Sequence, residues 1–292
     1  MFSEEIKEAV ALLLGQHTGI NTTINRASSL SGGSINDAYL LETTSGKYFM
    51  KYNLASAYPG MFEQEARGLE LLKAAGEIRV PEVIGSGQTG NYSFLALEYL
   101  DSASKKDAFW ESFGHKLAAL HKQTSDQFGL DHDNYIGSLK QYNNKHNTWV
   151  DFFREERLGV QIEMARKSGL MPAHMHAAFD RLFNKLEDVF PEEPPSLIHG
   201  DLWSGNYMVD DQGDACIIDP AVYYGFREMD IGMSRLFGVF GQGFYEAYNE
   251  SWPMEPGWRK RSEICNLYPL MVHVNLFGAG YLSSVESILS GF

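Results

Sequence analysis

Leu197-Ile198-His199-Gly200-Asp201-Leu202-Trp203-Ser204-Gly205-Asn206, continued by Cys216-Ile217-Ile218-Asp219-Pro220, is the stretch that decides how this chain is read. An aspartate is followed five residues on by an asparagine, and thirteen further on by a second aspartate that closes an apolar run. A tight turn at Ser204-Gly205 and a hairpin at 210–214 would bring the three side chains to one place. That grouping suits phosphoryl transfer. One carboxylate accepts the proton of an attacking hydroxyl, while an amide oxygen and a second carboxylate hold Mg²⁺ against a triphosphate. Mg²⁺ takes hard oxygen donors, so neither thiols nor imidazoles are needed. Asp201 is the expected catalytic base, and Asn206 and Asp219 the expected metal ligands.

Outward from this stretch the chain changes character once. Residues 3–15 read as an amphipathic helix with Ile6, Val10, Leu13 and Leu14 on one face. Strands follow at 38–41 and 48–52 around Ser45-Gly46, then a helix at about 60–76, then strands at 81–85 and 92–100. Beyond Asp101-Ser102-Ala103-Ser104 the apolar residues recur at helical spacing: Phe109, Phe113, Leu117 and Leu120, then Trp149, Phe152, Phe153 and Leu158. The expected fold class is α+β and bilobal. A small β-rich lobe over 1–101 is joined by a hinge near 98–104 to a larger, mostly helical lobe over 102–292, with the cleft between them.

Composition removes other classes. The 292 residues carry 24 Lys+Arg against 38 Asp+Glu, a net charge of −14, which works against nucleic acid because a phosphate backbone requires a basic face. The excess acid suits an amine-bearing partner instead. The start of the chain is acidic, and the apolar stretch 267–282 is interrupted by Pro269, His273 and Asn275, so neither a signal peptide nor a membrane span is expected. Cys216 and Cys265 have no CxxC or regular His spacing, so no disulfide framework or zinc site is expected; a reducing, cytoplasmic setting follows. His115, His121, His174 and His176 read as solvated or core histidines.

The string His199–Asn206 together with Asp219-Pro220-Ala221-Val222-Tyr223-Tyr224-Gly225 resembles the fructosamine kinase (ketosamine-3-kinase) family, in the aminoglycoside-phosphotransferase branch of the protein-kinase-like fold. Met61–Ala66, Ile78–Pro81, Phe152–Leu158, Arg227–Asp230 and Asn275–Gly278 add to the resemblance, which runs over about residues 28–280. It implies an ATP- and Mg²⁺-dependent small-molecule kinase that phosphorylates a ketosamine hydroxyl, O3 of a fructosamine or ribulosamine adduct, in deglycation and repair. It also implies that backbone groups of Glu98, Tyr99 and Leu100 bond the adenine edge, and that His199 and Asp230 support the catalytic loop. Two other readings remain: an aminoglycoside- or choline-type phosphotransferase of the same fold, and an inactive nucleotide-binding module. The partner is a small glycated amine; the oligomeric state is not legible, and a monomer is assumed.

The remaining parts of a kinase have candidates along the chain. Lys51, in the strand Phe49–Asn53, is placed to reach α- and β-phosphates, and it needs a carboxylate from the next helix. Glu65 shares its face with Met61, Leu69 and Leu72, whereas Glu63 falls on the wetter side, so Glu65 is the expected partner. Gly32, Gly33 and Ser34 lie in the turn before that strand, where backbone N–H groups can cradle phosphate oxygens. Gly85-Ser86-Gly87-Gln88-Thr89-Gly90 matches the dinucleotide fingerprint letter by letter, but a strand rather than a helix is expected after it, so it is read as part of a hairpin. Trp203, two residues past the base, is the expected substrate-stacking residue; Tyr224, Glu228 and His273 are further candidates for the acceptor pocket. After Asp219 there is no Phe-Gly, no Ala-Pro-Glu and no room for a regulated activation loop, which argues against a protein kinase.

Overall fold

The computed structural model describes residues 3–30 and 35–292. The expected phosphate-covering residues Gly32, Gly33 and Ser34 lie outside the described residues. Two compact units divide the chain: Met1–Lys106 together with Met208–Ile218, and Asp107–Tyr207 together with Asp219–Phe292.

The first unit is built on helix α1 (Glu4–Thr18), strands β1 (Ile24–Leu30), β2 (Asp37–Thr43) and β3 (Gly46–Leu54), helix α2 (Met61–Ala75), and strands β4 (Val83–Thr89) and β5 (Tyr92–Glu98). The strands form one antiparallel sheet in the order β1-β2-β3-β5-β4. Ile6, Val10 and Leu14 recur at helical spacing on α1 and bury completely against Leu41, Met50 and Ala96. Each such side chain contributes about 1.5–3 kcal/mol. Side chains alternate across a strand, so with Tyr48 and Met50 turned to α1, Lys51 and Asn53 face the other way. There Asn53 meets Met61 of α2 at 3.3 Å. The segment 85–90 belongs to β4 and its turn into β5, and no helix starts in it.

The second unit begins with α3 (Phe109–His121), the short strands β6 (Asn134–Ile136) and β7 (Leu139–Gln141), and α4 (Trp149–Phe152). A π-helical stretch, Phe153–Gly159, follows, then α5 (Val160–Lys167), α6 (Ala173–Phe183), α7 (Leu186–Val189) and β8 (Ser196–Ile198). A strand pair, β9 (Tyr207–Val209) and β10 (Ala215–Ile217), comes next, then β11 (Tyr223–Gly225) and helices α8 (Glu228–Leu236), α9 (Gln242–Ser251), α10 (Trp258–Cys265), α11 (Leu267–Phe277) and α12 (Leu282–Leu289). Gly114 lets α3 and α9 approach: a Cβ there would sit 2.2 Å from the Phe244 carbonyl. The apolar spacing at 149–158 predicts an ordinary helix, whereas residues 153–159 widen into a π turn. In that turn Arg157 is fully buried, its guanidinium 3.9 Å from the Tyr223 ring centre and 4.4 Å from that of Phe152. An extra residue per turn is the local answer to placing so large a cation inward among aromatic faces.

The segment 208–218 departs from the division expected at residue 101. It groups with the sheet-bearing unit because Ile217 N–H donates to the Arg79 carbonyl at 3.0 Å and Lys106 N–H to the Gly213 carbonyl at 3.2 Å. Arg79 adds side-chain bonds from its guanidinium to Asp210 at 3.1 Å and to Asp211.

Candidate active site

β8 and β11 pair antiparallel, Ile198 opposite Tyr223, and the chain leaving β8 turns sharply through His199 and Gly200. Gly200 has φ +83°, and a Cβ on it would lie 2.1 Å from the Ala221 carbonyl oxygen, so only glycine fits this crossing. The Ala221 N–H in turn donates to the His199 carbonyl at 2.9 Å. The turn is held from below by Asp230 in the first turn of α8. Its two oxygens accept the His199 N–H at 2.7 Å and the Gly200 N–H at 2.9 Å. The oxygen bonded to His199 also accepts from His121 Nε2 at 3.2 Å, and the other nitrogen of that ring lies 2.8 Å from the Tyr248 hydroxyl. Burial opposes the Asp230 charge, but the His121 hydrogen bond, the His121 and His199 rings and the Gly200 N–H outweigh it. Its carboxyl therefore lies below its ordinary value. His121, which the sequence suggests only as a solvated or core histidine, is thus the hidden anchor of this aspartate.

Asp201 and Asn206 meet as their spacing predicts. Asn206 Nδ2 donates to Asp201 Oδ2 and to the Asp201 carbonyl, both at 2.9 Å. Desolvation pushes the Asp201 carboxyl up to about 7; the Asn206 bond works against the rise, and the charges of Asp219 and Asp230 add to it. A carboxyl poised there is suited to accept a proton near neutral pH. Asp219, exposed at the end of the β10 segment, has φ +53° although it is not glycine. Left-handed backbone is uncommon at a non-glycine residue, and aspartate is among the residues that adopt it most readily. The donor set fits a hard divalent cation. Asn206 commits its nitrogen to Asp201, leaving its amide oxygen as a donor, and Asp219 supplies a carboxylate.

Lys51 and Glu65 also come together, Nζ to Oε1 at 2.6 Å, with both side chains largely buried. Glu98 ends β5, where its carboxylate bonds Arg79 at 2.8 Å and the Glu82 N–H at 3.1 Å. Tyr99 is half-buried with Lys47 5.7 Å from its ring centre, and Leu100 is buried. Arg79 is the residue that sequence reasoning missed in this unit. It ties the Glu98 end of β5 to Asp210 and Asp211, and its only sequence signal is its place in Ile78–Pro81.

Trp203 is half-buried and packs edge-on to Phe237, with ring centres 6.3 Å apart. Phe237 lies 4.5 Å from the His273 ring, which continues to Tyr281 at 5.0 Å and Phe277 at 5.4 Å. Ser204 Oγ donates to the Phe237 carbonyl at 2.7 Å, fastening this aromatic wall to the catalytic loop. Of the other acceptor candidates, Glu228 does not serve: it is fully buried and bonded through both oxygens to Arg261 at 2.7 and 3.0 Å. Tyr224 is held in β11, with main-chain bonds to Gly129 at 2.9 and 3.0 Å.

An antiparallel sheet whose Lys51 pairs with Glu65 of α2, together with an aspartate–asparagine loop and a following aspartate, defines a phosphotransferase of the protein-kinase-like class. The chain belongs to the fructosamine kinase family, whose model matches residues 6–292. It is 40% identical over 283 residues to a probable ketoamine kinase of Synechocystis, covering 97% of this chain and 95% of that one. It is also 40% identical over 281 residues to a chloroplastic protein-ribulosamine 3-kinase of Arabidopsis thaliana, covering 94% and 84%. Among solved structures it superposes on a putative fructosamine-3-kinase from Haemophilus somnus with TM-score 0.89 at 32% identity, covering 97% and 96%. An aminoglycoside phosphotransferase at 17% identity and TM-score 0.64, covering 97% and 98%, has the same fold. None of the described helices is long and apolar enough to cross a membrane.

Proposed function

We propose that Asp201 is the general base with which this ATP-dependent kinase phosphorylates a ketosamine, and that the acceptor atom is the C3 hydroxyl of a fructosamine or ribulosamine adduct. The observation that carries this reading is the Asn206–Asp201 bond within His199–Asn206, in a chain matched to the family over almost its whole length. Asp201 Oδ1 or Oδ2 takes the hydroxyl proton as the sugar oxygen bonds to the γ-phosphorus. The bond from that phosphorus to the β-γ bridging oxygen breaks, giving the sugar phosphate and ADP. Asn206 and Asp219 would hold Mg²⁺, which supplies charge neutralisation to the phosphates when bound. Lys51, kept charged and extended by Glu65, would bind α- and β-phosphate oxygens, and main-chain groups of Glu98, Tyr99 and Leu100 would bond the adenine edge. Trp203, Phe237 and His273 offer the acceptor an apolar wall. Burial keeps the His273 imidazole below its ordinary value, so near pH 7 that wall is uncharged. A phosphate so placed beside the ketosamine carbonyl eliminates readily, which makes deglycation and repair the sense of the reaction. The two buried free thiols fit a reducing, cytoplasmic compartment.

The test is ADP release with fructosyl-lysine, ribulosyl-lysine, kanamycin and choline, run with the wild type and Asp201→Asn. The expected result is turnover on a ketosamine that disappears in the variant. Turnover on kanamycin or choline alone would overturn the acceptor assignment, and ATP binding with no turnover on any of the four would indicate a binding module.

A further inference from the structure

Ala221 and Val222 follow Asp219 by two and three positions and lead into β11. The Ala221 N–H is bonded to the catalytic loop at His199. On the side facing β6 and β7, buried side-chain amides bond the next two carbonyls, as a neighbouring strand would. Gln141 Nε2 donates to the Ala221 carbonyl at 3.1 Å, and Asn134 Nδ2 to the Val222 carbonyl at 2.9 Å. These two amides stand opposite each other in the β6–β7 pair and are joined by Gln141 Nε2 to Asn134 Oδ1 at 2.8 Å. Asn143 Nδ2 donates to the same Asn134 oxygen at 3.0 Å.

The direction of this chain of bonds is forced. A main-chain carbonyl can only accept, so the amide nitrogens of Asn134 and Gln141 must face residues 221 and 222. Asn134 Oδ1 is then left to receive Gln141 and Asn143, and Asn143 Oδ1 must in turn find a donor. Arg157, which has donors alone, closes the chain there through Nη2 at 2.7 Å. Its Nη1 bonds the Tyr142 carbonyl at 2.6 Å, and among the described residues no carboxylate bonds this fully buried cation. At the other end, Tyr268 of α11 donates its hydroxyl to Gln141 Oε1 at 2.8 Å. Asn134, Gln141, Asn143, Arg157 and Tyr268 are each 5% exposed or less. Burying a cation without a counter-ion is costly, and the aromatic faces around Arg157 offset only part of that cost. What the cation gives in return is one fixed orientation for three amides, and a fully satisfied buried network is rigid.

We propose that Arg157, Asn143, Asn134 and Gln141 are positioning residues for the metal carboxylate: by fixing the carbonyls of Ala221 and Val222, they set where Asp219 stands relative to Asn206. The proposal rests on the metal-ligand reading of Asp219 and Asn206 above. Ala221 is the joint between the two segments that carry these ligands. Its N–H is held by His199, whose loop continues to Asn206, and its carbonyl is held by Gln141. Loosening the second bond lets the Asp219 segment shift against the loop. Groups that orient metal ligands in this way typically change metal affinity or activity by about 10–100-fold when removed. Among the described residues the network bonds neither Trp203, Phe237 nor His273, so acceptor binding is independent of it.

The experiment titrates Mn²⁺ into the protein at saturating ADP, reads free Mn²⁺ by electron paramagnetic resonance, and takes the melting temperature of the same samples. Gln141→Met keeps the length of the side chain and removes the donor to Ala221, whereas Tyr268→Phe removes only the hydroxyl behind Gln141. Phe179→Leu, in the core of α6, is the control for stability alone. The expected result is a Kd for Mn²⁺ raised about tenfold in Gln141→Met and about threefold in Tyr268→Phe. The kcat should fall with it while the KM for a ketosamine stays unchanged, and Phe179→Leu should lower the melting temperature without moving the Kd. A wild-type Kd in both network variants, or a Kd that follows melting temperature in Phe179→Leu as well, overturns the proposal. If Gln141→Met does not fold, the Kd of Tyr268→Phe decides alone. Asp219→Asn separates the two readings. If it raises the Kd and the network variants do not, the positioning role alone is wrong; if it leaves the Kd unchanged, the metal assignment itself falls.

Discussion

Asp201 is the residue at which chemistry and stability pull in opposite directions. Its folded-state carboxyl, raised to about 7 chiefly by desolvation, binds a proton more tightly than the unfolded chain does. Its contribution to folding is therefore present at low pH and is lost as pH rises through about 7. Asp201→Asn should lower kcat by about 10²–10⁴, and its melting temperature relative to wild type should climb between pH 5 and pH 8. Calorimetry of the ligand-free protein across that range measures this; a flat difference would show that the carboxylate is not desolvated. In the free enzyme kcat/KM should fall on the acid side of about pH 7 as the base becomes protonated. At Lys51 the prediction concerns binding and rate together. Glu65→Gln removes the charge partner 2.6 Å from Nζ while keeping the shape. It should raise the KM for ATP and lower kcat by about tenfold each, whereas Glu63→Gln, on the exposed side of α2, should change neither.

At the scale of elements, the catalytic loop depends on α3, α8 and β11 more than on its own residues. Gly200→Ala sets a Cβ against the Ala221 carbonyl at a left-handed backbone position, which should cost about 3 kcal/mol or more. A fall in melting temperature of at least about 5 °C should accompany near-complete loss of activity. Asp230→Asn keeps the shape but can accept from only one N–H of the loop and leaves His121 and Tyr248 deep in the core with a weakened partner. A loss of kcat with little change in either KM is expected, because the substituted group touches neither substrate. Strands β2 to β5, the α2 helix and the 210–214 hairpin were legible from apolar periodicity and turn residues, which act over a few neighbours. The π turn at 153–159 was not: it is set by where Arg157 meets Phe152 and Tyr223, and Tyr223 lies 66 residues away in the chain.

At the scale of the molecule, the charge of −14 and the two units matter most. Like charges at this excess repel in the compact state, so raising salt from 50 to 300 mM should increase the melting temperature. The segment 208–218 is far along the chain from the sheet it joins, and Arg79 is its tether. Arg79→Ala should cost only about 1 kcal/mol because the network is partly exposed. Hydrogen exchange should nevertheless speed up at both 208–218 and the end of β5, and nowhere in α8–α12.

By itself the sequence determined the chemistry: which oxygens are available, how far apart they lie along the chain, and which face of each helix and strand is apolar. Those are properties of neighbouring residues, and a loop with Asp201 and Asn206 five apart can close in few ways. Tertiary structure alone decided what surrounds those oxygens. The rise of the Asp201 carboxyl, the His121–Asp230 anchor, the burial of Glu228 against Arg261 and the tether at Arg79 each join residues separated by 18 to 132 positions. Desolvation and long-range pairing depend on what the finished fold places nearby, and no local pattern encodes that.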